Sequence, residues 1–178
     1  ADPSYKELYL RWFQQGVFSP IFRAHGSNVP REVWQFGEPG DPFYDGLLKM
    51  IDLRYSLLSY IYSSAWQVTA NSRLMMRGLV MDFPDDRNVH NRADAYMFGP
   101  SLLVKPITKP MYYTTEGAIG TPDTKESVYL PEHTGKYWFD FNSRQIYTGG
   151  KTISYLTPLD VIPVFVKAGS IIPINKIV

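Results

Sequence analysis

The chain has 178 residues, 44% of them hydrophobic and 15% aromatic, enough for one domain or two small ones. Its 18 basic and 17 acidic residues are scattered and leave a net charge of +1, which excludes a phosphate-reading nucleic-acid surface. There is no cysteine, hence no disulfide framework or thiolate site, and no apolar run approaches the roughly 18 residues of a membrane span.

The first element reads as a helix. Ser4 and Glu7 have the spacing of a capping box, with Pro3 just before them. Tyr5, Leu8, Tyr9, Trp12 and Phe13 then recur at three- and four-residue intervals, and Gly16 suits the C-cap. An apolar run over Val17–Arg23 predicts a buried strand, with Pro20 marking a bulge or a spare donor. Helix, glycine turn and strand form the αβ half of an α/β unit. From Ala24 to Tyr44 the chain is irregular, rich in proline and glycine but also carrying Trp34 and Phe36, as an ordered functional loop would.

Asp45 can cap a second, long helix reaching about Ala70. Leu47, Met50, Ile51, Arg54, Leu58 and Ile61 trace one face. Leu48, Tyr55, Tyr60 and Trp66 lie on the other, so the helix is expected between two layers. After Asn71 short apolar runs alternate with turn signals. Leu79–Phe83, Ser101–Val104, Ser127–Leu130, Lys136–Phe141, Val161–Val166 and Ser170–Ile174 predict an antiparallel β-sandwich. Polar, turn-rich Lys109–Glu126 reads as an exposed hairpin extension. The expected fold is α+β: an α/β segment over 1–72, then a β-sandwich over 73–178. A single strand between two helices has two open edges, so either the first 45 residues pack in an unusual way or the chain is the tail end of a larger α/β domain.

Arg23 and His25 end the apolar strand, where α/β folds build their sites, and a histidine there can donate to a sugar hydroxyl. The plainer reading is a loop histidine on a backbone carbonyl. Asp41 and Asp45 lie at the helix entry, Asp52 on the helix body and Asp82, Asp85 and Asp86 around a turn, while Glu32 and Glu38 sit in the long loop, where they could touch a ligand. No pair of acids stands beside a strand end, as sugar hydrolysis requires. His25, His90 and His133 are far apart with no ligand at i+3 or i+4, so no metal is expected. Aromatic Tyr137–Phe141 fits either a sandwich core or an exposed sugar-stacking platform.

Six stretches then narrow the reading: "ELYLRWFQQGVFSPIFRAHG", "PREVWQFGE", "LRYSLLSYIYSSAWQVT", "MMRGLVMDFPDD", "YMFGPSLLVKPIT" and "PLDVIPVFVKAGSIIP". Together, in this order and across nearly the whole chain, they resemble glycoside hydrolase family 31, which holds α-glucosidases and α-xylosidases. The resemblance implies the last helix, strand, loop and closing helix of a (β/α)8 TIM barrel, followed by a β-sandwich domain. It implies a retaining exo-α-glycosidase acting on oligosaccharides without a cofactor. The family's two catalytic aspartates belong to motifs that would lie upstream of Glu7, and neither occurs here. No catalytic residue is therefore assigned, and the remainder of the barrel is the expected partner. What carries over is the substrate-binding histidine, at His25, and the arginine of the same "R-x-H-G" motif, at Arg23, expected to hold the strand end in place. Ser59 stands where the family often has proline, which implies a slightly straighter helix. The alternative is a non-catalytic carbohydrate-binding or structural sandwich, with Tyr137 and Trp138 as its platform.

Overall fold

The computed structural model describes residues 2–176. Helix α1 runs over Pro3–Val17 and α2 over Pro42–Ser56. Both start with the same dipeptide device. Asp2 accepts from the Ser4 amide and Asp41 from the Phe43 amide, each at 2.9 Å, and each is followed by proline, whose missing N–H costs nothing at the first helical position. The caps are thus Asp2 and Asp41. Ser4 and Asp45, the caps expected from the sequence, sit inside the first turns, Asp45 accepting from the Gly40 amide at 3.1 Å. Gly16 lies within α1 instead of ending it.

Val17–Arg23 forms no ladder strand. Val17 ends α1, and Phe18 to Gly26 is irregular. The reason is physical: a strand needs a neighbour, and no other strand of an α/β sheet lies among the described residues. The long helix is two helices, α2 and α3 (Leu58–Asn71), broken at Leu57. At the break the Ser56 carbonyl accepts from the Asn175 amide at 2.8 Å, and the Ser59 hydroxyl donates to the Asn175 side chain at 2.6 Å. A group inserted into the helical ladder bends it without a proline. Ser59 lies in the first turn of α3, directly after this break.

Among the described residues ten strands follow: β1 (Met76–Gly78), β2 (Tyr96–Phe98), β3 (Leu102–Val104), β4 (Tyr113–Thr114), β5 (Gly117–Ala118), β6 (Lys125–Leu130), β7 (Tyr137–Asp140), β8 (Ile146–Thr148), β9 (Lys151–Leu156) and β10 (Val164–Lys167). The segment Leu79–Asp82, expected as a strand, is the short helix α4. Ser170–Ile174 is irregular. The main sheet has the order β1-β2-β3-β10-β7-β8, with every pairing antiparallel. β6 and β9 form a separate ribbon, and β4–β5 a small hairpin.

The main sheet is covered on both faces. Phe98, Leu102, Val104 and Val164 point toward the helices, against Val17, Phe18, Met50, Leu57 and Tyr60. Their chain neighbours Met97, Leu103 and Phe165 point the other way, onto Val128, Leu130 and Tyr155 of the ribbon. Successive side chains alternate faces, so "LLV" is buried throughout because each face has a cover. A third cluster, Leu10, Phe36, Phe43 and Leu47, joins α1 and α2 to the loop between them. Of the side chains expected on the second side of α2–α3, Tyr60 is buried against the sheet, whereas Leu48, Tyr55 and Trp66 are exposed, so a second layer covers none of these three among the described residues.

Candidate functional site

The site begins with the exposed segment that leaves α1. The Arg23 Nη2 lies 2.9 Å from the His25 Nδ1. A guanidinium only donates, so Nδ1 accepts, and the proton of the neutral ring sits on Nε2. That N–H has no partner among the described residues, the side chain is exposed, and it can donate to a hydroxyl oxygen. The backbone of His25 is held too: its carbonyl accepts from the Arg31 Nη1, and the Arg31 carbonyl accepts from the Tyr9 hydroxyl at 2.9 Å. Tyr9 stacks on buried Phe36, with ring centroids 4.1 Å apart and planes within 11°. Burial pushes the Tyr9 phenol up, which keeps its donor proton in place. Gly26 has no freedom to change, because a Cβ there would stand 2.4 Å from the Val29 carbonyl oxygen. The segment borders a cavity of about 370 Å³ whose walls include Tyr9, Trp12, Phe22, Arg23, His25 and Arg31. Aromatic walls with a few directed polar groups are the usual composition of a small-molecule site.

Beneath this segment stands Arg54, from the last turn of α2. Its Nη1 donates to the carbonyls of Val17 and Ser19, each at 2.6 Å, and its Nη2 to that of Pro20 at 3.1 Å. Burial pulls its pKa down from the usual arginine value. Its guanidinium also covers the Phe22 ring at 5.7 Å, and Phe13 meets the same ring edge-on at 4.6 Å. Sequence reasoning found Arg23 and His25 but missed Tyr9, Arg31 and Arg54. One signal was present for Arg54: a charged residue on the apolar face of a helix needs partners.

The other candidates fall into structural roles. Asp86 accepts from the Tyr129 hydroxyl at 2.6 Å and from the amides of Asn88 and Glu132. His133 takes a hydrogen bond from the Gly135 amide on Nδ1, and its Nε2 faces the Tyr137 carbonyl, so both nitrogens are used in a turn. His90 Nε2 faces the Pro84 carbonyl. No group of three or more His, Asp or Glu among the described residues is arranged to hold a metal. Trp138 is 0% exposed and donates to the Pro131 carbonyl at 2.8 Å, so the proposed Tyr137–Trp138 stacking platform lacks its indole. No described helix is long and apolar enough to cross a membrane.

Comparison with known proteins bears on the family and the fold. The glycosyl hydrolases family 31 TIM-barrel domain matches residues 1–64, and the glycosyl hydrolase family 31 C-terminal domain matches residues 72–172. An α-xylosidase of Saccharolobus solfataricus is 40% identical over 171 residues, covering 96% of this chain and 21% of that protein. The neutral α-glucosidase C of Mus musculus is 35% identical over 97% of this chain and 18% of its own length. Among solved structures, an α-xylosidase of the same family from Xanthomonas citri superposes with a TM-score of 0.85 at 41% identity, over 97% of this chain and 17% of that one. A Flavobacterium johnsoniae dextranase of the family, complexed with isomaltotriose, gives a TM-score of 0.82 at 36% identity, over 97% and 20%. The chain thus spans about a fifth of the length of the curated relatives it matches. A helical segment and an antiparallel β segment, matched in chain order by two domains of one family, place the chain in glycosyl hydrolase family 31.

Proposed function

We propose that this chain is the closing segment of the catalytic barrel of a retaining exo-α-glycosidase, residues 1–72, together with the β-domain behind it, residues 73–178. The enzyme would remove terminal α-linked xylose or glucose from oligosaccharides. His25 donates from Nε2 to a hydroxyl of the sugar whose bond is cleaved, and Arg23 fixes the tautomer that makes this possible. The observation that carries this reading is the Arg23–His25 contact at the mouth of an aromatic-walled cavity. The exposed apolar side chains beside it, Leu8, Trp12 and Ile21 at 54, 66 and 79%, suit burial under the rest of a barrel. Those missing strands would bring the two carboxylates, about 5–5.5 Å apart, of a double displacement through a covalent glycosyl-enzyme. Hydrogen bonds to sugar hydroxyls strengthen as the ring approaches its oxocarbenium-like transition state, so a donor at His25 would act on rate as well as affinity.

The test has two arms. In the full polypeptide, His25→Ala should lower kcat/KM for aryl α-xyloside or α-glucoside by about 100-fold, the cost of roughly one well-placed transition-state donor. The 178-residue chain alone should keep its mass of 20.4 kDa after incubation with an α-configured mechanism-based inactivator. An adduct on the chain would place a nucleophile within it and overturn the assignment. Unchanged kinetics of His25→Ala would remove the histidine from the site.

A further inference from the structure

The segment that carries Arg23 and His25 has no ladder partner, yet it is ordered and directed, so something else fixes it. We infer that Arg54 is the positioning residue of the substrate-binding rim: from α2 it grips the backbone at Val17, Ser19 and Pro20, five to eight residues before His25, and so sets where the segment that ends in the imidazole stands. This rests on the reading of His25 given above.

The geometry is specific to arginine. One planar group reaches the carbonyls of Val17, Ser19 and Pro20 at 2.6, 2.6 and 3.1 Å. These three acceptors span the point where α1 ends and the chain turns toward the rim. The first is the carbonyl of the last residue of α1, left without a donor by the helix itself. The other two lie where proline and a missing ladder leave the backbone to be satisfied from outside. A lysine ammonium could serve one or two of these oxygens but has no fork with which to hold three in a fixed plane. The same guanidinium covers one side of the Phe22 ring while Phe13 meets it at the edge. Phe22 immediately precedes Arg23, so the aromatic contact is passed directly to the residue that donates to His25. No carboxylate is recorded within ion-pair distance of Arg54 among the described residues, so its charge is answered by carbonyl dipoles and by the ring alone. The residue is free of any competing ion pair that would draw it away from the backbone.

A residue that acts in this way affects catalysis only through His25, and a double-mutant cycle reads that dependence directly. In the full polypeptide, kcat/KM for an aryl α-glycoside would be measured for Arg54→Met, Arg54→Lys, His25→Ala and the two double variants, each below its measured Tm. Arg54→Met should lose about 100-fold, the scale on which a displacement of roughly 1 Å at a site is felt. Arg54→Lys should recover part of that loss. In the His25→Ala background neither Arg54 substitution should lower kcat/KM further. If Arg54→Met does not fold, the cycle with Arg54→Lys carries the same test. Losses that multiply across the two residues, or a fall in Tm with kcat/KM intact, would overturn the assignment. A His25→Ala enzyme with unchanged kcat/KM would instead overturn the reading of His25, and the two failures are told apart by that single variant.

Discussion

Replacing Glu7 should cost more than any substitution at the rim, because Glu7 is the point where α1 holds the β half. Its side chain is 1% exposed. Its carboxylate accepts from three consecutive amides, Met111, Tyr112 and Tyr113, at 2.9, 3.0 and 2.9 Å. Arg11, one turn on, has its Nε 3.9 Å away, too far for a hydrogen bond but near enough to feel the charge. Glu7→Ala strands the buried Met111 N–H at about 1–3 kcal/mol. The other two amides are less buried and can reach water, so each costs less. Arg11 keeps its carbonyl partners at Thr157, Pro158 and Val161 but loses the one carboxylate close to it. Burial already pushes the Arg11 pKa down, and removing Glu7 removes the largest of the charges that oppose this, leaving the weaker pull of Asp160 and Glu126. Breaking a buried pair from one side costs about 3–5 kcal/mol, and about 4 kcal/mol is expected here. Glu7→Gln retains the shape and one acceptor oxygen but turns an NH2 toward an N–H, so about half the loss is expected. Urea unfolding followed by tryptophan fluorescence reads both: with m of about 2 kcal/mol/M, the alanine variant should unfold about 2 M earlier. Amide exchange at Met111–Tyr113 should accelerate in the same order. A loss below about 1 kcal/mol for Glu7→Ala, the range of ordinary surface changes, would refute the reasoning.

Three further outcomes are expected. Tyr60→Phe removes a buried hydroxyl that donates to the Phe98 carbonyl at 2.8 Å and accepts from the Ser101 amide at 3.1 Å, so stability should fall by about 2 kcal/mol in denaturant titration. Gly26→Ala must move the Val29 carbonyl, a backbone atom, so its amide spectrum should shift across 25–31 and Tm should fall by about 2–4 °C, the shift of about 1 kcal/mol at this chain length. His133 has its pKa lowered, first by burial and further by nearby Lys167, with the Tyr137 carbonyl opposing. The folded state therefore binds a proton less readily than the unfolded state. The stability from neutral His133 is whole above about pH 6.5 and is lost as pH falls through the lower folded value. Tm measured from pH 7.5 to 5 should drop more for the natural chain than for His133→Asn, and equal drops would refute the assignment.

Some of this architecture could be read from the chain and some could not, for definite reasons. Tyr5, Tyr9 and Phe13 announce α1 by spacing alone, although its cap is Asp2 and not Ser4: an aspartate before proline is the stronger signal. Leu79–Phe83 offered only a short apolar run, which a strand and a helical turn share, and it became α4. The β9 strand was missed because it is largely exposed and carries Lys151, Thr152 and Ser154. At the site, Arg23 and His25 were visible as residue types out of place at the end of an apolar run. Of the residues that hold them, Arg54 showed only as a charge on an apolar helix face, without its partners, and Arg31 not at all, because both act on backbone carbonyls, and a carbonyl has no residue identity to read.

That same mode of contact explains how the helices serve both halves of the molecule. On one side α2 grips carbonyls 17, 19 and 20 through Arg54. On the other, α1 grips amides 111–113 through Glu7 and carbonyls 157, 158 and 161 through Arg11, with Gln14 taking the carbonyl of Leu159 at 2.8 Å. Both sets of contacts leave helices that pack against each other through Leu10 and Leu47. The core formed by Val17, Met50, Leu57 and Tyr60 with Leu102, Val104 and Val164 is continuous with them. Interiors packed in this way transmit displacement instead of absorbing it. A β half attached only by a linker could move without consequence for the rim. Held by buried polar contacts and a shared core, it fixes α1 and α2 in register, and through Arg54 it bears on where His25 stands.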